Sequence, residues 1–322
     1  MRLQASPETN ENQSRMDIAQ AFLTTCTAVF VGSVGILVVA LSEAVLFPRG
    51  RGLVGSALST LRLLSSRASL PPDCDPLLHR LAPVLALIPP AAVVVLIPAH
   101  SAEIVPGPTL PVVLALPLLS TGAIGIAGYA SGNRLALLDA LRSATARAAL
   151  FTAAGAAGIG AARLSGSTLI EVAQAQSGPS GLWSALPAWG VLSSPVLALT
   201  SLVALALLHG TQHPRTTLLT PWFAEASGAV RLGHLLFLKL DVFAMALGFA
   251  FVFLGGCSVP GMDIAAFETF FLIAKAGAAI WAAALVRRVL DEVRTETVAS
   301  ISLLVLLPAA LIGAGIAAYL RG

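Results

Sequence analysis

Gly128–Tyr129–Ala130–Ser131–Gly132–Asn133–Arg134, running on through Asp139 and Arg142 to Arg147, is the stretch on which the reading of this chain turns. It gathers polar side chains, two glycines and three arginines between long apolar blocks. The block before it, 109–130, is long enough to cross bilayer hydrocarbon as a helix, which needs roughly 20 residues. The block after it, 148–162, is mostly alanine and glycine. Such a helix offers lipid little bulk and suits packing against protein neighbours; it is short for a span, so its ends extend into the flanks. The polar stretch then lies at the membrane surface, with a short helix over 134–147.

The rest of the chain repeats this alternation. Of 322 residues, 57% are hydrophobic and 11% charged, whereas a soluble domain carries about 25% charged residues. Alternating ten-residue segments of the outer-membrane barrel type are absent. The expected fold is therefore an all-α polytopic membrane protein with about eight transmembrane helices plus an amphipathic surface helix. The spans read as 18–46, 81–98, 109–130, 148–162, 185–209, 232–253, 267–286 and 298–320. Residues 1–17 read as a flexible N-terminus without signal-peptide character, and 18–322 as one transmembrane domain. Glu43 closes the first span at headgroup level. Pro89–Pro90 interrupts the second and removes two backbone donors. Segment 53–70, with Arg62 and Arg67 among leucines and serines, is too polar to span; it reads as a surface helix or as a connecting loop. Segment 163–184 reads as a long loop with a short helix in its middle.

Charge placement speaks to topology and to what the chain does not bind. The net charge is only +3, and the basic residues sit mostly between spans. They are orientation signals and not a nucleic-acid surface. Arg134, Arg142, Arg147, Arg215, Arg231, Arg287, Arg288 and Arg294, with the 49–67 loop, fall after odd-numbered spans. Those loops are expected on the cytoplasmic side and both termini on the other. Cys26, Cys74 and Cys257 form no CxxC pair, which argues against an iron–sulfur or structural zinc centre. His209 and His213 have helical ligand spacing, but Gly210 and Pro214 interrupt them and no acid is near; no metal site is expected. Lys239, Asp241 and Lys275 stand inside apolar spans, where charge is costly and faces protein or a wet cavity. Lys239 and Asp241, two apart, do not share a helix face. Lys239 has the alternative of snorkelling to the interface.

At these residues the chain resembles subunit 1 of respiratory complex I, a family shared with membrane-bound hydrogenases. Gly128–Tyr129–Ala130–Ser131, Asn133 and Arg142 resemble its Gly–Trp–x–Ser–x–Asn…Arg signature. Gln174 or Gln176 follows Thr168–Leu169–Ile170 as a glutamine follows a Ser–Leu-like segment there. Glu225–Ala226–Ser227–Gly228 resembles Glu–Tyr–Ser–Gly, and Phe253–Leu254–Gly255–Gly256 resembles Phe–Leu–Gly–Gly. Lys275 and Arg287 stand at the family spacing, followed by Arg294 and Glu296. Arg51–Gly52 and the segment around Arg62 and Arg67 resemble the amphipathic helix, and Ala82–Pro83 an Ala–Pro that opens the second span.

The resemblance implies a component of the bacterial inner membrane with no cofactor or catalytic residue of its own. It implies an anchor for peripheral iron–sulfur and large catalytic subunits, beside antiporter-like membrane subunits, with a quinone at an interface between subunits. Candidates for the quinone cavity or for docking are Tyr129, Ser131, Asn133, Arg142, Arg147, Glu225, Arg287, Arg294 and Glu296. Coupling candidates are Asp241, Lys239 and Lys275. The departures are chemical: 210–224 holds no acid, His209 stands near the family's first glutamate, and Ala149–Leu150–Phe151 replaces Ser–Tyr–Glu. Phenylalanine carries no proton, so reduced or altered proton coupling is expected. A non-catalytic scaffold is the alternative. An independent transporter with discontinuous midplane helices is a third reading, although no repeated halves are visible.

Overall fold

The computed structural model describes residues 25–27, 29–43, 62–63, 66, 70–71, 73–99, 110–165, 168, 171–172, 175–176, 179–180, 183–187, 189–211, 226–256, 265–290 and 293–319. The main helices are α1 (Thr25–Glu43), α2 (Pro76–Ala99), α3 (Leu110–Ala130), α4 (Arg134–Ser165), α5 (Pro195–Thr211), α6 (Gly228–Phe253), α7 (Ala265–Leu290) and α8 (Thr295–Tyr319). Among the described residues, six of these, α1, α2, α3, α6, α7 and α8, are long and apolar enough to cross a membrane. The fold is an all-α, membrane-spanning architecture. The expected flexible N-terminus lies outside the described residues. So does nearly all of the expected surface helix, although Arg62 and Leu63 are helical and the Ser66 amide donates to the Arg62 carbonyl at 3.0 Å.

Two expectations are corrected. The short helix over 134–147 and the span over 148–162 are one continuous 32-residue helix, α4. Arginine, leucine and alanine are strong helix formers, and no glycine or proline interrupts the sequence before Gly155. The span expected at 185–209 is shorter. Pro179–Ser180 and Trp183–Pro187 form an antiparallel β-hairpin, followed by a helical turn at Gly190–Ser193. Only then does α5 begin, at Pro195, since proline fits the first helical position but removes an interior donor. Within the expected loop helix, the Thr168 amide donates to Glu171 and the Glu171 amide to the Thr168 hydroxyl, a reciprocal capping box. In α8 the turn widens to a π-helical segment, Ser302–Leu306, just before Pro308, which brings no N–H to the helix.

α6 is the axis of the bundle. Every residue from Leu240 to Phe253 is buried, and a helix buried on all sides has neighbours on all sides. α2, α5 and α7 pack on it, and α4 packs on α3, α5 and α8. Small residues permit the close approaches: a side chain at Gly160 would collide with Ala314 of α8. α8 is the opposite case, with Leu304 76% and Ile312 63% exposed. The contacts also align the ends. The Asp75 amide before α2 donates to the last carbonyl of α3 at 3.0 Å, Arg142 near the start of α4 reaches Glu296 at the start of α8, and His209 at the end of α5 reaches Arg287 at the end of α7. The arginine-rich helix ends therefore form one face of the bundle.

Candidate functional site

The signature stretch is a helix-hairpin turn held by its own polar groups. Gly132 has φ 72°, and the Asp73 carbonyl occupies the place a Cβ would take, so only glycine fits without strain. The Ser131 hydroxyl donates to the Gly128 carbonyl at 2.8 Å and accepts the Asn133 amide at 3.3 Å. Asn133 Oδ1 accepts the Leu135 amide at 2.9 Å and caps α4. Asp75 caps α2 in the same way through the Leu77 and Leu78 amides. Ser131 is buried and Tyr129 is 67% exposed. Tyr129 and the side chains of Arg134, Leu135, Leu138, Leu141 and Arg142 face outward.

Arg147 leaves that face. It is 1% exposed, in an ion pair through Nη2 with Asp241 Oδ2 on α6, itself fully buried. The Phe237 ring lies under the guanidinium, 5.1 Å from its carbon, a cation–π contact. Arg147 Nε and Asp241 Oδ1 are buried without a hydrogen-bond partner among the described residues. His234, Phe237 and Asp241 share one face of α6 by helical spacing. His234 is buried and interacts electrostatically with buried His79 of α2. Arg147, grouped by sequence with Arg142 among the quinone-cavity or docking candidates, differs from it in placement: five positions along a helix turn the side chain from the surface into the bundle.

A second charged cluster lies on the other side of α6. Lys239 pairs with Glu43 of α1, at 15% and 17% side-chain exposure. Glu43 also feels the charges of His209 and Arg287. Arg287 Nη1 is 3.3 Å from His209 Nδ1, both side chains buried. Lys239 and Asp241 therefore face different partners, as their spacing requires, and Lys239 faces protein. Glu43, read as closing the first span, has a partly buried partner in Lys239. Neither Glu43 nor His209 is singled out as a cluster member by sequence; the one signal is an ionisable residue within or at the end of an apolar run.

The remaining candidates scatter. Lys275 donates to the Gly256 carbonyl at 3.0 Å and lies over the Trp189 ring at 5.2 Å. It sits at the C-terminal end of α6, where a cation meets the negative end of the helix dipole, away from Lys239 and Asp241. Gln176 is buried there too, donating to the Val252 carbonyl at 2.6 Å. Arg294 is exposed and precedes α8, and Glu296 meets exposed Arg142 at 3.5 Å. Glu225 and Gln174 lie outside the described residues. Among the described residues no three histidine, cysteine, aspartate or glutamate side chains converge as metal ligands would. A small apolar cavity opens between α3, α4 and α6, lined by Leu114, Pro117, Phe151, Gly155 and Phe249, with the Ser201 hydroxyl as its polar group.

Apolar helices spanning a membrane around a central helix that carries two separate buried charge clusters define an integral-membrane protein whose ionisable groups lie inside the bundle. Residues 47–318 match the family model described as NADH dehydrogenase, and the chain belongs to that family. It is 29% identical over 299 residues to the H subunit of the NADH-quinone oxidoreductase of Thermomicrobium roseum, covering 84% of this chain and 83% of that one. The corresponding protein of Geobacillus kaustophilus is 27% identical over 215 residues, 64% of this chain and 61% of the relative. That of Vesicomyosocius okutanii is 30% identical over 145 residues, 44% and 41% of the two chains.

Proposed function

We propose that this chain is the membrane-anchor subunit of a complex I-like or hydrogenase-like oxidoreductase. It holds peripheral iron–sulfur and large catalytic subunits on the membrane and sits beside antiporter-like membrane subunits. The observation that carries this reading is the family match, which runs from residue 47 to residue 318. α4 and α5 complete an eight-span plan, and the arginine-rich face is cytoplasmic, with both termini on the opposite side of a bacterial inner membrane. Tyr129, Leu135, Leu138 and Leu141 there combine exposed apolar area with Arg134, Arg142 and Arg288, a composition suited to a protein partner.

Quinone, in this reading, meets the chain at the partner interface and not in the apolar cavity. A quinone headgroup needs convergent polar groups in an apolar pocket. The cavity offers the Ser201 hydroxyl alone, while Ser131 and Asn133 are engaged in their own turn. Glu225, Arg294 and Glu296 remain interface candidates. Proton coupling is altered relative to the family pattern. Phe151, where the resemblance places an acid, lines that apolar cavity, and the coupling candidates are Asp241, Lys239 and Lys275.

The test is retention of the peripheral arm. Replacing exposed Arg142 and Arg288 together by alanine is expected to release the iron–sulfur subunits from washed membranes while the chain itself stays inserted. Unchanged retention counts against the docking face. Purification of the intact chain with no iron–sulfur partner at all counts against the anchor role.

A further inference from the structure

Ser201 differs from the other hydroxyls buried in the bundle. Ser42, Ser120, Ser131, Ser194, Thr200 and Ser302 each donate to a backbone carbonyl three or four residues back. That back-bond is the ordinary way for a helix to satisfy a hydroxyl in an apolar interior. Ser201 is 5% exposed and makes no hydrogen bond among the described residues. It lines the small cavity between α3, α4 and α6. A buried hydroxyl without a partner is destabilising, and a bound molecule that supplies the partner removes that penalty.

The rest of the wall limits what such a molecule can be. Leu114, Phe151 and Phe249 present hydrocarbon, while Gly155 of α4 and Gly248 of α6 present no side chain and leave the space open. A Cβ at Gly155 would meet nothing closer than the Leu114 carbonyl at 4.0 Å. An ordered buried water takes roughly two to four polar partners, and one side-chain hydroxyl does not provide them. No ionisable side chain is among the lining residues, so a charged ligand would be left without a counter-ion. A ring with two carbonyls would leave one of them unpaired against hydrocarbon. Pro117, Gly155 and Ser201 all lie nearer the end of their helix that points away from the arginine-rich face. The cavity is therefore at hydrocarbon depth, where neutral lipophiles concentrate by partitioning.

We propose that this cavity is a binding site for a neutral lipophile carrying one hydrogen-bonding oxygen, with Ser201 as its polar contact and Leu114, Phe151 and Phe249 around the adjoining hydrocarbon. The serine donates to a carbonyl or ether oxygen and can both donate to and accept from a hydroxyl. The remaining tail leaves through the opening of the cavity. The site is remote from the docking face, and it does not depend on the anchor role.

The test is photolabelling of the full chain in lipid nanodiscs with two probes, an octanol and an octane that each carry a diazirine, with adducts mapped by mass spectrometry. The octanol probe is expected to label Phe151, Met245 or Phe249 in the cavity above the level at Leu304, an exposed residue of α8. The octane probe should label the cavity about threefold less, since it cannot bond Ser201. Unlabelled octanol or methyl octanoate should compete, and the stronger competitor tells whether a hydroxyl or a carbonyl is preferred. Ser201→Ala should bring the two probes level and leave the Leu304 adducts unchanged. Gly155→Leu, which extends into the cavity from a position with room for it, should remove the cavity adducts of both probes. Should Gly155→Leu lower the unfolding midpoint, Ser201→Ala decides. Adducts confined to exposed residues such as Leu304 overturn the proposal. So does equal cavity labelling by both probes in wild type, which means that the cavity takes a bare hydrocarbon chain, or an octanol preference that survives Ser201→Ala.

Discussion

Arg142 and Arg147 stand five residues apart on the same helix, and each makes an ion pair, yet they are different kinds of group. Arg142 meets Glu296 at 3.5 Å with both side chains more than 60% exposed. Arg147 meets Asp241 with both buried. Exposed pairs contribute little because water screens them and two long side chains must be held still. A buried pair contributes little net stability either, but removing one partner leaves a bare charge in a medium that cannot solvate it. The first arginine is thus free to serve a partner, and the second is tied to the bundle. One helix carries both because α4 runs unbroken from the surface to the core.

The comparison is broken most decisively at Arg147. Arg147→Ala is expected to cost about 3–5 kcal/mol, the usual consequence of orphaning a buried charge, read as loss of monodisperse protein and a lower unfolding midpoint in detergent. Arg147→Met combined with Asp241→Leu should recover most of that loss; wild-type behaviour of Arg147→Ala alone would mean that Asp241 is not a buried anion. Asp241→Asn keeps an acceptor for the guanidinium and should be milder. In the assembled complex it should lower proton translocation more than electron transfer, and equal loss of both counts against a coupling role.

Gly132→Ala tests the turn that separates the two arginines from α3. A left-handed backbone costs a residue with a Cβ roughly 1–2 kcal/mol, and the Asp73 carbonyl adds a clash. Thermal unfolding should fall accordingly, and an unchanged midpoint would mean the turn has rearranged. Arg142→Ala comes next, with an expected stability change under about 1 kcal/mol, its effect confined to partner retention. The smallest effect is expected at Asp139, in the surface portion of α4. Burial raises its carboxyl above the ordinary aspartate value, and Arg142 partly opposes this. A raised acid costs folded-state stability once it ionises, so Asp139→Asn should be slightly more stable than wild type at neutral pH. The gap should close as pH falls through the carboxylate range, and it should widen in an Arg142→Ala background. A gap independent of pH would remove the electrostatic explanation.

Much of the fold is legible along the chain. Apolar run length marks α1, α2, α3, α6, α7 and α8 because crossing hydrocarbon sets a minimum number of consecutive apolar residues. The opposed directions of Lys239 and Asp241 follow from helical period alone. The hairpin before α5 is hidden because Trp183–Pro187 reads as apolar as a span, and only pairing with Pro179–Ser180 makes it a strand. The unity of α4 is hidden because a polar-to-apolar change in composition looks like a boundary, although backbone hydrogen bonding does not stop there.

The sequence by itself determined that this is a membrane protein of spanning helices with a few charges it cannot leave in lipid. It also carried the family pattern from the Gly128 turn to Glu296. Tertiary structure alone decided which charges are partnered inside the bundle. Arg147 meets Asp241 across 94 residues and Glu43 meets Lys239 across 196. Helical periodicity tells which way a side chain points from its own axis, but not which helix stands there. That is set by the packing of Gly, Ala and Phe surfaces around α6, and it makes one arginine a surface group and its neighbour part of the core.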